Sequence, residues 1–368
     1  MTFFVRDGAD APEVRRRCVT AGVSLRMPCF IVPPYILKAL VEHGDAELRS
    51  RALETLELSA RLTGQRMLAA RFPEMLPREH GERRTIYDAA HDTQLPGTVV
   101  RREGHPATAD PAVNEAYDNA GITYDFFENV FGRRSVDGRD MRLVSSVHYA
   151  EYYDNAFWDG TQMVYGDGDR AVFGAFTRAL DVIAHELSHG VTQMTCGLAY
   201  HGESGALNES VSDVFGSLAK QWHRKQTVDR ADWLIGAELI VDKRAAKALR
   251  SLKAPGTAYD SIVMGGKDPQ PDNYRNYYHG RDDDGGVHIN SGIPNHAFYL
   301  LATTLGGHAW ERAGRIWYET VTRDIGVRCS FARFAAVTIN VAQLLFGADV
   351  AAATRQAWQR VGVESTGS

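Results

Sequence analysis

The run His185-Glu186-Leu187-Ser188-His189, inside DVIAHELSHG at 181–190, constrains this chain more than any other feature. Two histidines four apart on a helix stand on one face about one turn from each other, where both imidazoles can reach a single ion. Leu180, Ile183, Ala184, Leu187 and Val191 supply an apolar stripe. The helix must therefore pack into a core while its polar face borders a shared site. Glu186 follows the first histidine, so its carboxylate projects beside the ion rather than onto it. The pattern is H-E-x-x-H, two zinc ligands and a glutamate base. A fold that uses it must bring a third ligand to this helix and leave a fourth position open.

The segment GALNESVSDVFG at 205–216 offers that ligand. Glu209 and Asp213 lie one turn apart there, and Val211, Val214, Phe215 and Leu218 form the opposite, buried face. A carboxylate in a helical core is costly unless it is paired or bound to metal. Glu209 is therefore read as the third ligand and Asp213 as an acceptor behind a ligand histidine. A His2Glu set suits a hydrolytic zinc. Further on, DDDGGVHINSG at 282–292 places a glycine pair before His288, which suggests a tight loop feeding a helix. His288 is a candidate oxyanion donor with Asp283 orienting its ring, although a lone histidine in a glycine loop is more often merely exposed.

Composition excludes several other classes. The 368 residues carry 41 Lys+Arg against 46 Asp+Glu, a net charge of −5. That balance argues against a general nucleic-acid binder. The four cysteines, Cys18, Cys29, Cys196 and Cys329, are too scattered for a disulfide scaffold and include no CxxC pair. No apolar run approaches the ~18 residues of a membrane span. The apolar start of the chain is broken by Arg6, Asp7 and Asp10, so no Sec signal peptide is readable.

Along the chain, Pro28–Pro34 should be extended, because residues before proline are pushed out of the helical region. Residues 36–71 read as one helix, and PEMLPREHGERR at 73–84 as an exposed linker. Short strands follow at Thr85–Tyr87, Thr98–Arg101 and Leu143–His148, interrupted by a helix at Val113–Phe131. From about residue 177 amphipathic helices dominate: 177–196, 205–224, 289–305, 309–323, 330–346 and 349–361. A strand-rich half followed by a helix-rich half predicts an α+β molecule of two lobes with a cleft between them.

These blocks resemble the thermolysin family of zinc endopeptidases. The resemblance spans roughly residues 84–363 and rests on YYDNAFWDGTQMVYGDGD (152–169), HELSH (185–189), GALNESVSDVFG (205–216) and GGVHINSG (285–292), in the family's order. It implies a β-rich lobe at 84–180 and an α-helical lobe at 181–368, with the zinc helix along the cleft floor. His185, His189 and Glu209 match the zinc ligands, and Glu186 the base that activates water on that zinc. Tyr200 and His288 match the oxyanion donors, Asp283 and Asp213 the acids behind His288 and His185. Asn155 and Ala156 match the strand that hydrogen-bonds substrate backbone. Phe173, Phe176 and Val182 match an apolar pocket for the residue after the cleaved bond, or else are ordinary core. The activity implied is hydrolysis of internal peptide bonds of proteins by a zinc-activated water.

The segment 1–83, with CFIVPPYIL at 29–37, is similar to the short propeptide of the protealysin-like branch. It would inhibit in cis until autolysis somewhere between 45 and 84. Cys29 reads first as a small buried hydrophobe and alternatively as a thiolate blocking the zinc. Secretion by a route other than Sec is implied, with a cytoplasmic location as the alternative. A monomer is expected, without nucleic-acid or membrane partners. Two departures stand out. Asp260, in GTAYDSI, falls where the family carries a primed-side arginine, with Arg275 as a substitute. Asp181 and Asp232 match acids of a double calcium site, but Lys220, Leu234 and Ala237 replace other ligands. Calcium is not expected there, and Lys220 should pair with Asp181 or Asp232. The rival readings are a zinc aminopeptidase and a protease fold retired to a binding role.

Overall fold

The computed structural model describes residues 29–69 and 82–365. Cys29–Phe30 form strand β1, and the double proline that follows starts helix α1 (Pro34–His43) with Pro34 at its first position. That position needs no N–H, which is why proline is tolerated there. Ile36, Leu37 and Leu40 bury the inner face of α1. A second helix, α2 (Ala46–Ala69), begins after Gly44 and Asp45. Asp45 Oδ1 accepts the N–H groups of Glu47 and Leu48 at 3.1 and 2.9 Å. This cap splits the single helix expected over 36–71 into two, because a side-chain acceptor satisfies the orphan donors of a new first turn. Most of the expected linker at 73–84 lies outside the described residues.

The next stretch supplies β2 (Arg84–Asp88), β3 (Thr98–Arg102), helix α3 (Pro111–Phe131), β4 (Leu143–Val147), β5 (Ala156–Trp158) and β6 (Met163–Tyr165). With β1 they form one six-stranded sheet in the order β1-β5-β6-β4-β2-β3. β2 runs parallel to β4 and β4 to β6, and the other neighbours are antiparallel. The reading from sequence finds β2, β3 and β4 but not β5 or β6. Each of those has three residues, buried on both faces, and so carries no alternation to detect.

Helices α4 (Leu180–Met194) and α5 (Gly202–His223) pack chiefly against each other. At Gly216 a Cβ would stand 2.4 Å from the carbonyl oxygen of Asp181 and 3.4 Å from His185 Cβ. Only glycine lets α5 lie this close to the helix that carries the histidines. Two small hairpins follow, β7 (Leu234–Ile235) with β8 (Arg250–Ser251) and β9 (Asp260–Ser261) with β10 (Gly266–Lys267). Helices α6 (Asp282–Asn290), α7 (Gly292–Leu305), α8 (Ala313–Val321), α9 (Phe331–Phe346) and α10 (Ala348–Arg360) complete the chain. The helix expected at 289–305 is thus preceded by a separate short one. A buried core runs from Ile31 and Ile36 through α3, α4 and α5 to Trp358.

Lys220, on α5, is 2% exposed. Its Nζ lies 2.8 Å from Asp181 Oδ2, 3.0 Å from Asp232 Oδ1 and 2.7 Å from the carbonyl oxygen of Leu234. The ammonium therefore sits among the acids as expected, and it reaches both of them.

Candidate active site

The facing polar edges of α4 and α5 converge on one point. His185 Nε2 and His189 Nε2 are 3.0 Å apart, and each lies 3.5 Å from a different carboxylate oxygen of Glu209. Ligands about 2.1 Å from a tetrahedral ion stand about 3.4 Å from one another, so this spacing suits a zinc ion. Glu209 is fully buried and its Oε2 has no hydrogen-bond partner among the described residues. A buried carboxylate oxygen left bare is costly, and a cation at this point would satisfy it.

The rear of each ring is held as well. His189 Nδ1 lies 2.9 Å from Asn208 Oδ1 and 3.1 Å from Ser212 Oγ. His185 Nδ1 lies 2.8 Å from Asp213 Oδ1. Asp213 in turn accepts from Arg250 Nε and Nη2 and from Asn295 Nδ2, each at 2.8 Å. Such partners orient ligand imidazoles and set their tautomer. Burial opposes the charge of Asp213, yet Arg250 and His185 hold its pKa down to about 2. Burial also opposes charge on His185, but Asp213 and Glu209 raise it to about 9. Burial takes His189 down to about 3, leaving a neutral ring with a lone pair to offer.

Glu186 points beside this cluster. Its Oε2 accepts the backbone N–H of Trp158 at 3.0 Å, while the buried Oε1 has no hydrogen-bond partner among the described residues. Burial pushes its pKa up to about 8, the range of a group that both takes and returns a proton near neutrality. On the other side, Tyr200 Oη donates to Glu209 and lies 3.2 Å from His288 Nε2. Asp283, Asp284, Gly285 and Gly286 all adopt positive φ, and this left-handed run folds Asp283 back onto the start of the helix. Asp283 Oδ2 accepts the N–H of His288 at 2.8 Å and Oδ1 lies 2.6 Å from its Nδ1. Asn155 and Ala156 border the same cleft at β5. Phe173, Phe176 and Val182 are each 0% exposed within the continuous core.

The N-terminal segment fills the cleft. β1 lies antiparallel to β5, with Cys29 opposite Trp158 and Phe30 opposite Phe157. The Phe30 carbonyl oxygen is 3.0 Å from His288 Nε2. Ile31 N–H donates to Ala156 O at 3.2 Å, and Arg250 Nη1 donates to Ile31 O at 3.0 Å. Asn155 brackets Val32, accepting from its N–H at 3.0 Å and donating to its carbonyl at 3.2 Å. Cys29 Sγ lies within 4.8 Å of ligand atoms of both His189 and Glu209. Cys29 is buried, as the reading of it as a small hydrophobe expects, and its sulfur also stands beside the cluster.

Arg250 corrects the expectation placed on Asp260. Asp260 is exposed on β9, paired in register with Lys267, and Arg275 sits in a short 3-10 turn at the surface. The guanidinium that reaches the cleft comes from β8, ten residues before Asp260. Its only sequence signal is an arginine in the apolar stretch AKALRSL. Asn208, Ser212 and Asn295, which touch His189 or Asp213, also went unread, since isolated polar residues on helices carry no pattern.

Comparison with known proteins agrees with this geometry. Residues 74–193 match the family model described as thermolysin metallopeptidase, catalytic domain, and 196–363 that of the thermolysin metallopeptidase alpha-helical domain. An extracellular metalloprotease of Pectobacterium carotovorum subsp. carotovorum is 49% identical over 341 residues, 91% of this chain and 96% of the relative. Protease PrtS of Photorhabdus sp. (strain Az29) is 44% identical over 344 residues, 91% and 92% of the two chains. Among solved structures, the precursor of protealysin, a metalloproteinase from Serratia proteamaculans, superposes with a TM-score of 0.83 at 49% identity. That match covers 91% of this chain and 99% of the other.

Proposed function

The chain belongs to the thermolysin family of zinc metallopeptidases, and from that premise we propose that it is an endopeptidase made as a self-inhibited precursor. In this reading 1–83 are propeptide and linker, 84–180 the β-rich lobe and 181–368 the helical lobe. The observation that carries it is the course of β1, whose backbone takes the donors and acceptors of the cleft that an incoming peptide would need. β-Strand addition supplies such main-chain recognition without regard to most side chains.

His185, His189 and Glu209 would hold the zinc. When bound, the zinc acts as a Lewis acid that polarises a carbonyl and eases deprotonation of water. The chain's own groups do the rest. Asn155 and Ala156 align the substrate backbone along β5, and Arg250 takes the carbonyl that Ile31 now occupies. Glu186 Oε1 accepts a proton from the attacking water and later returns it to the leaving amine. His288 and Tyr200 donate hydrogen bonds where negative charge gathers on the carbonyl oxygen, each worth about 3 kcal/mol of barrier. Asp283 accepts from Nδ1–H and favours the imidazolium form of His288, so that Nε2–H is free to donate to the oxygen. Phe173, Phe176 and Val182 would line the pocket for the residue after the cleaved bond.

Autolysis then frees the cleft. The relatives named as extracellular support secretion. The test is mass spectrometry of the purified chain over time, with and without a chelator. Loss of the N-terminal segment that stops on metal removal, together with cleavage of an unfolded protein, is the expected result. A Glu186→Gln chain should bind zinc but stay intact. Self-cleavage or full turnover in that variant would refute the assignment of Glu186.

A further inference from the structure

We propose that Cys29 supplies a fourth, thiolate ligand to the metal in the precursor and so excludes the water that Glu186 would deprotonate. The inference deepens the metallopeptidase reading above and rests on it.

The register of β1 leaves little freedom. Phe30 O is held by His288, Ile31 N–H by Ala156 O, Ile31 O by Arg250, and both polar groups of Val32 by Asn155. A slip of one residue would turn every side chain to the opposite face. Phe30 is further anchored by its ring, 5.4 Å from that of Phe157. Beyond Ile31 and Val32, Pro33 and Pro34 stiffen the exit of the strand into α1. The residue before the held Phe30 carbonyl is therefore committed to one place. That residue is Cys29, 7% exposed, and its Sγ groups with His189 and Glu209 within 4.8 Å.

An independent observation at the same point calls for a cation. Glu209 Oε2 is fully buried, without a hydrogen-bond partner among the described residues, although His185, His189 and His288 nitrogens stand 3.5 Å from its carboxylate. Thiolate is a strong zinc ligand at about 2.3 Å, and four protein ligands make a closed tetrahedral site of structural type, whereas three leave the corner a hydrolytic site needs. With the sulfur bound, a peptide strand can lie across the cleft with its Phe30 carbonyl on His288 while no water has room beside it. Withdrawal of β1 removes the ligand and the blocking strand together, so one event opens both the corner and the cleft.

The test uses the full chain carrying Glu186→Gln, so that it stays intact, loaded with cobalt(II) in place of zinc. A thiolate on cobalt gives a near-ultraviolet charge-transfer band that nitrogen and oxygen ligands do not. The band is expected at about one cobalt per chain and should be lost in Cys29→Ser and in Cys29→Ala, while the visible cobalt spectrum persists. Cobalt bound at that ratio without the band, or a band that survives both substitutions, would overturn the thiolate ligand and leave the metallopeptidase reading intact. Failure of every chain to bind cobalt would sink the metal site itself and this inference with it.

Discussion

Replacing Lys220 by alanine isolates one buried charge cluster and its cost. Lys220 Nζ meets Asp181 Oδ2 at 2.8 Å and Asp232 Oδ1 at 3.0 Å. The two acids differ in surroundings: the Asp181 side chain is 2% exposed and that of Asp232 41%. The exposed partner is solvated whether or not the lysine is present, and such a pair contributes only about 0–1 kcal/mol. Asp181 cannot be rehydrated, and stripping one partner from a buried pair typically costs about 3–5 kcal/mol. At ~2–4 °C per kcal/mol for a chain of this size, the melting temperature of Lys220→Ala should fall by roughly 6–20 °C. Calcium should restore part of the loss in the variant, because the emptied position returns two carboxylates and the Leu234 carbonyl to hard oxygen ligation. Calcium should leave the parent chain unmoved. The assay is thermal unfolding in the Glu186→Gln background at fixed zinc, with and without millimolar calcium. A fall of less than about 2 °C, or a parent chain that calcium stabilises as strongly as the variant, would refute the reasoning.

Other outcomes follow from the same geometry. Asn155→Ala removes both brackets on a bound backbone, so the matured enzyme should show a KM raised about tenfold or more, from two hydrogen bonds of about 1 kcal/mol each; an unchanged KM would detach Asn155 from substrate binding. Gly216→Ala drives a methyl to 2.4 Å from Asp181 O and should cost about 1–3 kcal/mol in urea unfolding, with weaker metal affinity as α4 is pushed away. His148 is held by Asp167 and Asp110, and despite burial its pKa rises to about 9. A raised histidine pKa adds stability that is whole below its unfolded value of about 6.5 and lost as pH climbs through 9, at most about 3 kcal/mol. His148→Gln should flatten that loss, and an unaltered pH profile between 6 and 10 would contradict it.

Much of the catalytic centre is legible along the chain because its residues obey short-range rules. The four-residue step from His185 to His189, and again from Glu209 to Asp213, puts each pair on one helical face whatever the rest does. The glycine pair before His288 similarly announces a left-handed turn. The pairing of Lys220 is legible only through the family resemblance, which sets an ammonium among the acids of a calcium site.

What the sequence by itself determined, then, is local: the placing of His185 with His189 and of Glu209 with Asp213 on one helical face each, and a strand-rich half followed by a helix-rich one. Tertiary structure decided the rest. Arg250 is tied to Ile31 across 219 positions and His288 to Phe30 across 258. β5 and β6 exist only because neighbours complete their ladders, and β1 extends the sheet only because β5 has an open edge beside the cleft. Hydrogen bonds between distant strands leave no periodic trace in either partner. Their pairing depends on which edges the whole fold brings together, and so the blocked cleft could be expected from the chain but its register could not.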